Sequence, residues 1–472
     1  MIRLFRAFVP ASIFALLISE ILLVTGAFVL ASYIILPVAP AETPLPGDYL
    51  YDGGWASVLL VVLTILLGLY LHDLYSDIYV KSRIILIQQL CLVMGMAFLM
   101  QGLISYLDHT ENHILRMPIR VMVLGSSMAM LAIFVWRNLF SSYVVHVVGR
   151  DHLLLVGDSP VLVDIARYIA SHPEKGMVIT GYVGDFPDKG AQLSGGKVFG
   201  PVASLREIVE ATGPSHIVVG MFERRNCMPV NELLELRFGG NIIEEAASAY
   251  ERVCGRVCVK ELRPSQLIYS GELGPRRQTL LYQSLSNVVV AGIGAIVSAP
   301  VMLMVALAVR ISSPGPVLYR QIRVGLNGAS FTLYKFRSMR ADAEAASGAV
   351  WASKDDPRVT PVGRIIRKLR LDELPQLFNV LKGEMSIVGP RPERPEFVTT
   401  LSGRIPYYRQ RHCVRPGITG WAQINYKYSE NLEDTIEKLE YDLFYIKNMS
   451  IGLDTYIIFH TLKIMLLSRG AQ

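Results

Sequence analysis

Apolar residues gather in five long runs, separated by stretches whose polar spacing changes along the chain. The first run covers residues 11–36 and follows Arg3 and Arg6. It is longer than the core of a cleaved leader, so it reads as a retained anchor. Further runs cover 55–71, 84–107 and 121–136. A crossing helix needs about 20 predominantly apolar residues, and the second and fourth runs lie near the lower limit. Loop charges orient them. The 37–54 loop has no Lys or Arg but carries Glu42, Asp48 and Asp52, whereas Lys81, Arg83, Arg137 and Arg150 border the other side. The excess of cations in cytoplasmic loops then predicts both ends of this four-helix part in the cytoplasm. Glu20 and the pair His72-Asp73 are expected near span ends, reaching the interface, in preference to a transport path.

From residue 150 the period changes. Short apolar segments at 153–156, 178–183 and 217–219 alternate with helical patterns at 161–170, 205–211 and 231–238. This alternation predicts a parallel α/β domain. A dinucleotide site needs a glycine-rich turn after the first strand, so that backbone amides can approach a pyrophosphate. Here the turn is Gly157-Asp158-Ser159-Pro160, and the proline removes a donor. A structural or oligomerising role is the expectation.

The fifth run, 288–309, is long enough to span, but Arg276 and Arg277 precede it and Arg310, Arg320 and Arg323 follow it. Cations on both flanks favour one side for both ends. Pro300, in the middle, removes a backbone hydrogen bond. Together these predict a re-entrant helix that enters, bends and returns. Ser313-Pro314-Gly315-Pro316 then turns the chain out at the surface.

Composition supports a membrane protein. Of 472 residues, 51% are hydrophobic and 18% charged, and mean hydropathy is +0.37. The net charge of +6 suits anionic headgroups and phosphorylated substrates. No basic arm or reader motif points to nucleic acid. The five cysteines include Cys254 and Cys258, but no second pair follows at zinc spacing.

The chemistry concentrates between 331 and 393. Residues 331–336 read as a strand that delivers Lys335 and Arg337 to one side, since residues two apart share a face. The basic amphipathic segment 364–370 suits a membrane surface, and the acids Asp372 and Glu373 follow it. They sit within 365–381, with Pro375 at a helix start where its missing donor costs little. Arg391, held between Pro390 and Pro392, suits bidentate contact with a phosphate or a base. Cations that hold a diphosphate, and a carboxylate that attacks phosphorus or holds a metal, are what sugar-phosphate transfer requires. Asp342 and Glu344 offer a different reading, the acidic metal motif of an inverting glycosyltransferase, although they open an alanine-rich segment where solvated first-turn charge is expected.

Four motifs occur in order: Lys335-Phe336-Arg337-Ser338-Met339, Leu371-Asp372-Glu373-Leu374-Pro375-Gln376, Ser386-Ile387-Val388-Gly389-Pro390-Arg391-Pro392-Glu393 and Pro416-Gly417-Ile418-Thr419-Gly420-Trp421. In them the chain resembles the bacterial polyprenyl-phosphate hexose-1-phosphate transferases, in their long form. The resemblance implies a four-helix transmembrane domain (1–145), a Rossmann-like cytoplasmic domain (150–265) and a monotopic α/β phosphoglycosyltransferase domain (280–472) with a re-entrant helix (288–309) broken at Pro300. It implies an enzyme of the bacterial inner (plasma) membrane that moves hexose 1-phosphate from a UDP-sugar to polyprenyl phosphate and releases UMP. Asp372 is the implied nucleophile and Glu373 helps bind Mg²⁺, with Asp372 also a metal candidate. Lys335, Arg337, Arg391 and Glu393 are the implied substrate-binding residues. Partners are the UDP-sugar, the lipid phosphate and inner-membrane lipid, and a homodimer stays open. An inactive scaffold of polysaccharide synthesis is the alternative, against which the intact motif residues argue. Two departures stand out: Ala299-Pro300 replaces the family's Ser-Pro pair, with Ser298 one place earlier, and Met449 takes the place of an aromatic, so a slightly weaker interfacial anchor is expected. Residues 457–467 are expected to form an amphipathic helix lying on the membrane.

Overall fold

The computed structural model describes residues 2–4, 7–9, 11–38, 49–75, 83–107, 117–144, 151–184, 196–221, 228–262, 277–340, 358–426 and 431–466. The loops carrying Glu42, Asp48, Lys81 and Arg150, and the Asp342/Glu344 motif, lie outside them. The chain divides into two compact units. One comprises Met1–Ile2, Val9–Asp158 and Ala166–Glu244, the other Arg3–Phe8, Ser159–Ile165 and Glu245–Gln472.

The first unit opens with α1 (Ala11–Ile35), α2 (Trp55–Leu71), α3 (Arg83–Leu107) and α4 (Ile119–Leu139). Their inner faces bury Val24, Phe28, Val58, Ile65, Leu90, Val121 and Ile133 in one core. Their outer faces expose Leu22, Leu59, Leu99 and Leu131. Helices apolar all round belong in lipid. Ile13–Ile35, Arg83–Leu107 and Ile119–Ser142 are long and apolar enough to cross a membrane, and Trp55–Leu71 is shorter. Glu20 corrects one expectation. It does not reach an interface but is fully buried, and Arg137 donates to both its oxygens at 2.7 and 3.1 Å. Tyr75 adds a hydroxyl bond of 2.6 Å, and Arg137 also donates to the Leu74 carbonyl. A buried carboxylate is tolerated only when paired and hydrogen-bonded in this way.

The remainder of this unit carries a five-stranded sheet. Its strands are β1 (Asp151–Val156), β2 (Met177–Val183), β3 (Lys197–Gly200), β4 (His216–Val219) and β5 (Ile242–Glu245), in the order β3-β2-β1-β4-β5. The pairs of β1 with β2, β1 with β4 and β2 with β3 are parallel. β3 and β5 escape the sequence pattern because they are only four residues long and half-exposed.

In the second unit, α5 (Arg277–Ser312) is one continuous helix, so the break expected at Pro300 does not interrupt it, and it too is long and apolar enough to cross a membrane. Ser298 Oγ donates to the Gly294 carbonyl at 2.6 Å, one turn back. Both halves of α5 pack onto the same domain. Ala291 joins Leu333, Val380 and Met385, while Val305 and Val309 join Phe336 and Ile366. That domain contains an antiparallel hairpin of β6 (Leu318–Val324) and β7 (Ser330–Phe336), and a parallel pair of β8 (Ser386–Val388) and β9 (Gly417–Thr419). Residues 417–419 of the last motif thus supply a strand. Gly389 and Gly417 permit its close approach, since a Cβ on Gly389 would lie 2.9 Å from the Gly417 amide. Leu432–Asn448 (α6) starts at a reciprocal cap between Asn431 and Asp434, and α7 (Ile451–Leu466) follows. Met449, expected at the interface, is instead buried in the core beside Leu453 and Ile457.

Candidate active site

The acidic pair sits at a chain reversal. Thr360 caps the helix Pro361–Lys368, its hydroxyl accepting from the Gly363 amide at 2.9 Å. Arg370 ends that helix in the left-handed conformation, φ 54°, which is uncommon outside glycine. Asp372 and Glu373 follow on a single 3₁₀ turn, Leu371–Glu373, and Pro375 precedes the helix Gln376–Leu381. Pro375 thus stands at a helix start, as expected, and the acids lie on the turn between two helices. The turn buries both acids, each 9% exposed.

Cations converge on Glu373 from three directions. Lys335, on β7, donates to Oε1 at 2.9 Å. Arg391 donates to the same oxygen at 3.0 Å, and Arg370 lies 3.7 Å from Oε2. Burial alone would raise the Glu373 pKa, but Lys335, Arg391 and Arg370 outweigh it and hold the group well below the usual carboxylate range. Asp372 moves the other way. Burial and the adjacent Glu373 charge push it up to about 6, against the pull of Lys335, Arg367 and Arg391. Two neighbouring carboxyls thus differ in kind: one is a fixed anion, the other titrates near neutrality.

The remaining expected residues lie apart. Arg337 turns to the exit of α5, donating to the carbonyls of Pro314 at 2.8 Å and Ser313 at 2.7 Å. It lies one residue beyond the strand that carries Lys335 and is not brought to the acids. Glu393 lies 3.7 Å from Arg323, and its carbonyl accepts from the Val324 amide at 2.9 Å, so it fastens the segment after Arg391 to β6. Arg411 donates to the Arg391 carbonyl at 3.0 Å and pairs with the buried Asp442 at 2.8 Å.

Sequence reasoning missed Arg370 as a partner of Glu373, and Asn379. Asn379 is fully buried on the helix after the acids. Its side chain accepts from Tyr334 N at 3.1 Å and donates to Thr332 O at 2.7 Å, holding β7 next to Lys335 as a neighbouring strand would. A lone Asn within an apolar helix pattern was the available signal. In the middle of the chain, Ser159 hydrogen-bonds Glu261 and accepts from the Val161 amide, so a carboxylate of the chain itself faces the start of the helix Pro160–Ser171.

The model of the bacterial sugar transferase family matches residues 278–468, the segment that holds Lys335, Arg370, Asp372, Glu373 and Arg391. A UDP-glucose:undecaprenyl-phosphate glucose-1-phosphate transferase of Xanthomonas campestris pv. campestris is 33% identical over 342 residues, covering 68% of this chain and 69% of that protein. The chain belongs to the bacterial sugar transferase family. Other relatives of this transferase are a UDP-N-acetylgalactosamine-undecaprenyl-phosphate N-acetylgalactosaminephosphotransferase of Aeromonas hydrophila, 45% identical over 222 residues, and an undecaprenyl-phosphate glucose phosphotransferase of Komagataeibacter xylinus, 49% identical over 180. Those matches cover 47% and 37% of this sugar transferase, and only 52% and 34% of the relatives' own lengths.

Proposed function

We propose that this sugar transferase moves hexose 1-phosphate from a UDP-sugar to polyprenyl (undecaprenyl) phosphate, releasing UMP and starting exopolysaccharide or O-antigen repeat units. The observation that carries the reading is the division of labour between the two acids. Asp372, poised near neutrality beside a cluster of cations, suits a nucleophile that attacks the phosphorus next to the sugar. The bond from that phosphorus to the UMP oxygen breaks, and the sugar phosphate stays on Asp372. The lipid phosphate then attacks the phospho-aspartyl group and frees the carboxylate.

Lys335 and Arg391, now on Glu373, are the cations that suit the donor's diphosphate. Two adjacent carboxylates with no third metal-ligating group among the described residues suit Mg²⁺, which commonly takes one or two carboxylates plus substrate phosphates. Glu373 and Asp372 would hold it, and when bound it neutralises diphosphate charge. The re-entrant reading of α5 draws support from the packing of both its halves on one domain. That would keep both ends cytoplasmic, with the transferase domain, at the bacterial inner membrane. The five-stranded sheet is read as the Rossmann-like domain, and Glu261 at its first turn favours a structural role over nucleotide binding. The relatives' names differ in the sugar, glucose or N-acetylgalactosamine.

The test is nucleotide release by the full chain in lipid discs, with undecaprenyl phosphate, Mg²⁺ and a panel of UDP-sugars. UMP release with one donor, lost on Asp372→Asn, is expected. UDP release would replace this reading by a glycosyltransferase acting through Asp342 and Glu344, and no release with any donor would favour the scaffold.

A further inference from the structure

The first turns of α5 bury two amide side chains where a membrane helix needs none. Leu285, Val288 and Val289 beside them are more than half exposed, whereas Gln283 and Asn287 are buried. They are four residues apart and so lie one above the other on the face turned to the domain. Polar groups on an otherwise apolar helix of this kind mark a function or a partner.

Their partner is β8. Asn287 Oδ1 accepts from the Ile387 amide at 3.0 Å, and Asn287 Nδ2 donates to Ser386 Oγ at 2.9 Å. Gln283 Nε2 donates to the Val388 carbonyl at 3.4 Å, to Tyr445 Oη at 2.8 Å and to Asp454 Oδ2 at 3.0 Å. Tyr445 in turn donates to Asp454 Oδ1 at 2.7 Å and lies 3.2 Å from the same Val388 carbonyl. On the other side β9 holds the strand, through Ser386 N to Pro416 O and Gly389 N to Thr419 O. From there the backbone is fixed residue by residue. The Pro390 carbonyl accepts from Gly417 N, the Arg391 carbonyl accepts from Arg411, and the Arg391 side chain ends on Glu373.

From this chain of bonds we infer that Asn287 and Gln283 are positioning residues for Arg391: the seating of the membrane-type helix against β8 sets where the guanidinium stands. A helix shifted along its axis breaks both side-chain clamps together, so Arg391 meets the acids only when α5 is docked. The inference rests on the reading of Arg391 as a donor-diphosphate cation.

The experiment uses the full chain in lipid discs, comparing wild type, Asn287→Ala, Arg391→Ala and the double variant. One buried hydrogen-bonded side chain governs about a tenfold change. Asn287→Ala is expected to raise KM for the UDP-sugar about tenfold, with a smaller change in kcat. The double variant is expected to be no worse than Arg391→Ala alone, because residues acting through one another are not additive. Amide exchange over 386–391 is expected to quicken while 371–381 keeps its protection. Additive losses, or exchange over 386–391 that stays at the wild-type rate, would overturn the proposal. If Asn287→Ala does not assemble, Gln283→Met, which keeps the length and removes the donor, takes its place under the same criteria. If wild type releases no UMP from any donor, the transferase reading fails, and the clamp stands or falls on the exchange result alone.

Discussion

Lys335 and Arg391 donate to one and the same oxygen, Glu373 Oε1, at 2.9 and 3.0 Å. Two cations sharing one acceptor repel each other, and the Glu373 charge is what keeps them together. A diphosphate offers them more oxygens and more charge, so in the proposed reaction donor binding would be an exchange of partners on groups already gathered.

Replacing Glu373 by Gln removes that charge while leaving the shape. Lys335 and Arg391 then face each other without a shared anion. A loss of about 1–3 kcal/mol is expected, discounted because Arg391 is 43% exposed and solvent screens it. The melting temperature of the disc-embedded protein should fall by a few degrees, with turnover lost as well. Unchanged stability would mean that the cations relax into water at no cost.

The pH dependence follows from the opposite shifts of the two acids. In the proposed mechanism Asp372 is ionised when it attacks, and burial and the Glu373 charge push its pKa up to about 6. kcat/KM, which reports the free enzyme, should therefore climb about tenfold per pH unit below 6 and level off above it. Stability runs the other way for this group. Protonated Asp372 contributes stability that is full below the ordinary aspartate range and lost as pH rises through about 6. Glu373, held low, contributes stability present above the ordinary glutamate range and lost as pH falls through its depressed folded value.

In the helical bundle, Glu20→Gln should leave Arg137 as an uncompensated buried cation. A loss of about 3–5 kcal/mol is expected, and Glu20→Leu with Arg137→Leu together should recover much of it. Thermal aggregation of the detergent-solubilised chain measures both. A double variant as unstable as the single one would show that Tyr75 and Leu74 depend on these groups for more than charge.

Short-range pattern made much of this legible. The β7 strand, the acidic pair, the Pro390-Arg391-Pro392 turn and the apolar helices all announce themselves by periodicity or residue type. Convergence does not. Nothing local tells that Lys335 and Arg391 end on one oxygen, because that depends on how β7, the 3₁₀ turn and the segment after β8 pack. Arg337 shows the same limit. Strand geometry gave it the face of Lys335, but it lies just beyond β7, where the Ser313 and Pro314 carbonyls claim it. The left-handed turn at Arg370 is invisible in sequence because arginine carries no preference for it. Glu20 misled because a lone acid in an apolar run says nothing of a partner 117 residues away.

The place of α5 in two core clusters bears on how the protein is handled at the bench. Trimming residues 277–312 to obtain a water-soluble transferase fragment would strip Ala291 from beside Met385, and Val305 and Val309 from beside Phe336 and Ile366. What remained would expose its own interior, and the strand that leads to Arg391 would lose its fastening. The long apolar helix and the domain that carries the acids share their cores, so purification in a lipid-like environment is part of keeping that domain intact.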